Sequence, residues 1–81
     1  MSSKITRQEW NKLATEKTSE IVGGEVEVIM MVDTINVLSG KREVAYRAVK
    51  MYQNAGSSIV KEIYYEADEE MPEAWSIEMT I

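Results

Sequence analysis

The chain has 81 residues, a formal net charge of −5, 44% hydrophobic and 28% charged residues, and neither cysteine nor histidine. That length and composition suit one globular domain and exclude a disordered chain. They also exclude disulfides, thiolate metal sites and imidazole proton shuttles. The charge is segregated. Residues 1–40 hold four basic and six acidic residues, residues 41–65 five basic and two acidic, and residues 66–81 six acidic and no basic.

Thr6 with Glu9 forms a capping box that predicts a helix start, and Ile5 with Trp10 is placed to staple it. Trp10, Leu13 and Ala14 share one face, Ile21 extends it, and Gly23-Gly24 ends the helix. Lys4, Arg7, Lys12, Glu16 and Lys17 are expected in solvent. No stretch has the apolar core of a signal peptide. The most apolar run, residues 26–32, is far shorter than the ~20 residues of a membrane helix. A soluble, cytoplasmic protein with no membrane contact is expected.

Val26, Val28, Met30 and Val32 alternate with Glu25, Glu27, Ile29 and Met31, the period of a strand. The alternation breaks near Asp33, because Ile35 and Val37 fall on the opposite phase, which predicts a bulge or a strand end. Residues 41–55 segregate cleanly on a helical wheel. Val44, Ala45, Ala48, Val49, Met51, Tyr52 and Ala55 fill one arc, while Arg42, Tyr46, Arg47 and Lys50 lie in the other. A helix is predicted there, with Ser39 as N-cap and residues 54–56 as the stop. Residues 59–67 are β-branched and aromatic and predict a strand. An acidic turn follows, containing Glu66, Asp68, Glu69, Glu70 and the only proline. Trp75, Ile77, Met79 and Ile81 then alternate with polar residues as a half-buried strand reaching the last residue.

The expected architecture is a single α+β domain over residues 1–81, in the order α-β-α-β-β, with a three-stranded antiparallel or mixed sheet packed with helices. The alternative is an N-terminal helix followed by a four-stranded antiparallel meander, with residues 41–55 extended.

No constellation for acid–base, nucleophilic or metal chemistry is present, and no cofactor or metal is expected. Ser39-Gly40-Lys41 lacks both the upstream glycine and the following hydroxyl of a phosphate-binding loop. The acidic turn reads first as a solvated loop and lacks the spacing of a calcium-binding loop.

Three surfaces are candidates for binding. The first is the polar face of the second helix, with Arg42, Tyr46, Arg47 and Lys50, where an aromatic beside arginine has the composition of an interface hot spot. The second is the acidic turn of Glu66, Asp68, Glu69 and Glu70. The third is an apolar patch at Ile29 and Met31, with Ile35 and Val37, if Trp10 and Leu13 do not cover it; it would suit a homodimer through the first strand. The function expected is that of a non-enzymatic protein-binding module, a small regulator or inhibitor acting on a larger protein partner, in the style of phage-encoded regulators. The alternatives are an acidic nucleic-acid mimic that occupies a basic groove, and nucleic-acid binding through the basic helix. The least favoured reading is a small carboxylate enzyme.

Overall fold

The computed structural model describes residues 5–81. Lys4, expected in solvent, lies outside them. The elements are α1 (Arg7–Val22), β1 (Glu27–Met30), β2 (Thr34–Ser39), α2 (Arg42–Asn54), β3 (Ile59–Tyr65) and β4 (Ala74–Thr80). The four strands form one antiparallel sheet in the order β1-β2-β4-β3. The fold is α+β, with the two helices of the first expected arrangement and the strand count of the second. Because β4 inserts between β2 and β3, the sheet is not a meander.

The three-strand count failed at Asp33. Of the two expected causes of the phase break, a bulge or a strand end, it is the strand end: β1 stops at Met30, and a hairpin turn folds residues 34–39 back as a separate strand. Met31 N–H donates to Thr34 O at 2.7 Å and closes it. After the turn, Ile35 lies opposite Met30 and Val37 opposite Val28, so the two apolar phases face the same side. Val32, expected on the apolar face, sits in the turn and is 85% exposed.

α1 starts as expected: Thr6 is the N-cap, and its hydroxyl accepts from Glu9 N–H at 3.1 Å. The Glu9 carboxylate accepts the Thr6 hydroxyl proton in return, instead of reaching the Thr6 backbone. Gly23 ends the helix in the left-handed region, φ 72°, where a side chain would be strained. Gly24 serves a different need. A Cβ there would stand 2.6 Å from Val44 Cγ2, so its lack of a side chain lets the turn pass close to α2.

The buried face of α1 differs from the expected one. Leu13 and Ile21 are exposed, and the inward stripe is Trp10, Asn11, Ala14, Thr15, Thr18, Ser19 and Val22. Four of these seven residues are polar, and three of them meet backbone. Asn11 Oδ1 accepts from Met30 N–H at 2.7 Å, Thr15 Oγ1 accepts from Val28 N–H at 2.9 Å, and Ser19 Oγ accepts from Val26 N–H at 3.2 Å. The Thr15 and Ser19 hydroxyls donate in turn to Val28 O and Val26 O. Four helical residues rise about 6.0 Å and two strand residues about 6.6 Å. The i, i+4, i+8 spacing of the helix therefore keeps step with every second residue of the strand. The outer edge of β1 is sealed by side chains.

α2 buries Val44, Ala45, Ala48 and Val49 on the sheet, as the wheel predicts, with Met51 and Tyr52 half-buried and Ala55 exposed. With Val22, Val26, Val28, Ile35, Val37, Ile77 and Met79 they form the core. Ser39 does not cap this helix. The N-cap is Lys41, which makes no side-chain capping bond. The Ser39 hydroxyl instead accepts from Lys41 N–H at 3.2 Å and donates to Glu25 O at 2.9 Å, tying the end of β2 to the start of β1. Thr18 Oγ1 and the Tyr52 hydroxyl share a 2.9 Å hydrogen bond between the helices. Arg47 donates to Val22 O at 3.1 Å, satisfying a carbonyl at the end of α1.

β4 fills the centre of the sheet, with Ile77 and Met79 fully buried. Ile81, expected in the core, lies past the strand and is 63% exposed; its N–H donates to Asp33 O. β3 ends at Tyr65 rather than at residue 67, and leans chiefly on β4. Its seven residues are exposed apart from the half-buried Ile63. A register shift between Ile59 and Lys61 marks a bulge at its start.

Candidate functional site

α2 lies on one face of the sheet, and α1 runs along the outer edge of β1 and packs against α2. Val28, Ile35, Val37, Ile77 and Met79 point into the core, so their neighbours along the strands point the other way. On this open face Ile29, Leu38 and Ile63 are half-buried, and Tyr65 and Met31 are about half exposed. Polar groups interleave with them. Asn36 accepts the Ser76 hydroxyl proton at 3.1 Å, and Glu78 stands between Asn36 and Lys61 in the cross-strand register. The result is a shallow cleft of about 350 Å³, floored by Asn36 and Ser76 and walled by Ile29, Met31, Ile63 and Tyr65.

A larger groove of about 830 Å³ adjoins it and shares Ile29. It runs between the flank of α1 and residues 71–74, with Leu38, Met71 and Pro72 as apolar lining. Across the two concavities the charged lining is Glu16, Glu25, Glu27, Glu73 and Glu78 against Lys12 and Lys61, an acidic balance.

The three surfaces read from the sequence fare differently. Of the apolar patch, Ile35 and Val37 belong to the core, while Ile29 and Met31 do reach the open face. Leu13 does not cover them, being 51% exposed on α1. Trp10 packs against the core cluster.

The polar face of α2 is partly used within the molecule. The Tyr46 hydroxyl donates to Glu62 Oε1 of β3 at 2.6 Å, and the Arg42 guanidinium lies 5.3 Å from the Tyr46 ring centre. The hydrogen bond to Glu62 raises the Tyr46 pKa, with desolvation and the Glu62 charge adding to it and Arg42 opposing. Arg47 is bonded to α1, and Lys50 is exposed.

The acidic turn organises itself. Asp68 accepts from Glu70 N–H at 2.9 Å and from Met71 N–H at 2.7 Å, and Asp68 N–H donates to Met71 O. Those backbone donors, Met71 first, hold the Asp68 carboxyl below its ordinary pKa. Glu66, Glu69 and Glu70 are exposed. Tyr64 donates to Glu73 at 2.7 Å, which raises its own pKa, and its ring tilts against Trp75 with centroids 5.0 Å apart. Among the described residues, no three acidic side chains gather closely enough to hold a metal ion. No helix described is long and apolar enough to cross a membrane.

Sequence reasoning did not place Leu38, Asn36, Ile63, Tyr65 and Ser76 together. The signal available was Thr34-Ile35-Asn36-Val37-Leu38-Ser39, whose alternation marks a second strand with a mixed outer face. A scan against protein-family models, a search of curated proteins and a search of solved structures each gave no match.

Proposed function

We infer that this chain is a non-enzymatic protein-binding module whose recognition surface is the open face of its sheet. The observation that carries the reading is the one-sided packing: α2 covers one face of the sheet while α1 lines its β1 edge, and the other face presents Ile29, Ile63, Met31 and Tyr65 around an ordered Asn36–Ser76 pair. Half-buried aliphatics beside an exposed tyrosine, rimmed by polar groups, have the make-up of a protein interface. The carboxylates bordering both concavities favour a larger partner that is basic around an apolar anchor.

Direct nucleic-acid binding through α2 is less well supported, since Arg47 and the Arg42–Tyr46 pair are engaged internally. The acidic balance of the open face also supports a second reading, in which this face imitates a nucleic acid on a basic groove.

Immobilised protein incubated with lysate of its native host, followed by mass spectrometry, identifies the partner. Tyr65→Ala and Ile29→Asp are expected to abolish capture, and Lys50→Ala to leave it unchanged. Capture that survives both open-face variants but fails with Lys50→Ala would overturn the reading. A mimic would lose affinity steeply with salt, whereas an apolar anchor would hold.

A further inference from the structure

The sheet has two outer edges, and among the described residues only one is finished. At β1, α1 takes the outward N–H groups of Val26, Val28 and Met30. That fixes the alternation across the whole sheet, because antiparallel strands direct successive residues to opposite neighbours. With Val28 and Met30 outward, Glu27 and Ile29 face β2, whose partners there are Leu38 and Asn36. Ile35, Val37 and Ser39 then face β4, opposite Met79, Ile77 and Trp75. Ser76 and Glu78 face β3, opposite Ile63 and Lys61. The backbone groups of Glu62 and Tyr64 are left pointing out of the sheet. The bond from Thr80 N–H to Ser58 O, at the other end of the same pair of strands, has the phase this requires.

We propose that β3 pairs with β3 of a second copy of this chain, antiparallel, to make one continuous eight-stranded sheet. An isologous pair around a two-fold axis normal to the sheet keeps each face on its own side, so only residues of like parity can stand opposite one another. Among the registers allowed, centring on Ile63 is the complementary one. It sets Ile63 against Ile63, Lys61 against Tyr65, and Glu62 against Tyr64. The outward backbone groups of Glu62 and Tyr64 then exchange hydrogen bonds with those of Tyr64 and Glu62 in the other copy. No like charges meet, and each lysine stands by a tyrosine ring. Centring on Glu62 would put carboxylate against carboxylate, and centring on Lys61 ammonium against ammonium.

Two features on the page shape this edge. The bulge is confined to the start of β3, so residues 61–65 pair regularly with β4 and remain straight enough to pair again. Lys61 discourages casual strand addition, but in this register it is matched. With β1 sealed, each copy offers one free edge among the described residues, so the assembly closes at two and does not grow into a fibre. Both open faces fall on the same side of the dimer. The pairing does not depend on the binding role inferred for that face, and its test contains no partner.

Sedimentation of the purified full chain over a concentration series is expected to show a species of twice the 9.2 kDa chain mass. Tyr64→Pro removes an outward N–H and leaves the bonds to β4; it is expected to shift the population to monomer, with circular dichroism reporting the fold. Should that variant unfold, a second one decides. The chain has no cysteine, so Ile63→Cys supplies a single thiol on the two-fold axis. Facing residues in a non-hydrogen-bonded pair lie about 4.5 Å apart at Cα, within the reach of a disulfide. Mild oxidation is expected to convert Ile63→Cys to covalent dimer at least tenfold faster than Glu70→Cys in the acidic turn. A monomer at every concentration, or equal cross-linking rates for the two thiols, would overturn the proposal.

Discussion

The outer strands of the sheet each present a row of backbone groups that no neighbouring strand can take, and the molecule treats the two rows differently. Beside β1, a helix brings Asn11, Thr15 and Ser19 into step with Met30, Val28 and Val26. β3 has β4 on one side and, among the described residues, nothing bonded to its outward backbone groups on the other; Tyr46 and Glu73 meet only the side chains of Glu62 and Tyr64. The difference teaches that an edge strand is silenced by whatever satisfies its N–H groups, and that short polar side chains on a helix can do this as well as another strand. It also separates roles: β1 is built into the core through Val28, whereas β3 contributes little burial.

The largest effect should come from unsealing β1. Asn11→Ala, Thr15→Val and Ser19→Ala together leave three strand N–H groups without acceptors, at about 1–3 kcal/mol each. That is a large share of the ~5–15 kcal/mol that typically holds a domain together. Urea denaturation should show the midpoint falling sharply, with association beyond the dimer at sub-denaturing urea as a second edge opens. An unchanged midpoint would mean that the polar stripe of α1 is incidental.

Next in size is Gly24→Ala. The added methyl must displace Val44, and overpacking of this kind costs about 1–3 kcal/mol. Calorimetry should record a lower Tm. The same mutation at Gly40, where the nearest atom to an added Cβ is 3.6 Å away, should be nearly silent.

At the β3 edge the effects shrink. Tyr46→Phe removes one bond between solvent-accessible groups and should cost at most about 0.5–1 kcal/mol. Its pH dependence has a definite sign. The Tyr46 pKa is raised in the fold above 10.0, so its contribution is complete below that pH and is lost as pH rises through the folded value. Wild type and Tyr46→Phe should therefore converge in stability on the alkaline limb. Smallest is Asp68→Ala. Asp68 is exposed and its pKa lies below 3.8, so whatever the turn contributes is present at neutral pH and vanishes as pH falls through the folded value. Faster proteolysis at residues 66–73 with an unchanged Tm is the expected readout.

Much of this architecture is legible in the residues. The apolar arc of α2 gives Val44, Ala45, Ala48 and Val49 as its buried side, because a helix on a sheet needs one continuous apolar stripe. Thr6 and Gly23 announce both ends of α1. What the pattern concealed has physical causes. A turn of residues 31–33 carries Met31 and Val32, both apolar, so hydropathy does not mark it; only the reversal of phase does. α1 was misread because hydrophobicity looks for apolar neighbours, and this helix packs against backbone. Its signal is the uncharged polar series Asn11, Thr15, Ser19, set between Lys12, Glu16 and Glu20. Ile29 and Met31 are recoverable as surface residues from their phase opposite Val28, but the open face needs Asn36, Ile63 and Ser76 as well, and three strands bring those together only after pairing. Exposure of β3 was hidden for the same reason: its Ile, Val and Tyr content is that of a covered strand, and position at the end of the sheet is a property of topology.

The difference between the two edges is measured most directly by amide hydrogen exchange, residue by residue, at a protein concentration low enough to hold the chain monomeric. Val28 and Met30 should exchange slowly, through opening of α1, while Glu62 and Tyr64 exchange orders of magnitude faster and become protected as the concentration rises. Val28 and Met30 exchanging as fast as Glu62 and Tyr64 in the dilute sample would contradict the sealed edge, and with it the account of why β3 alone is left to pair.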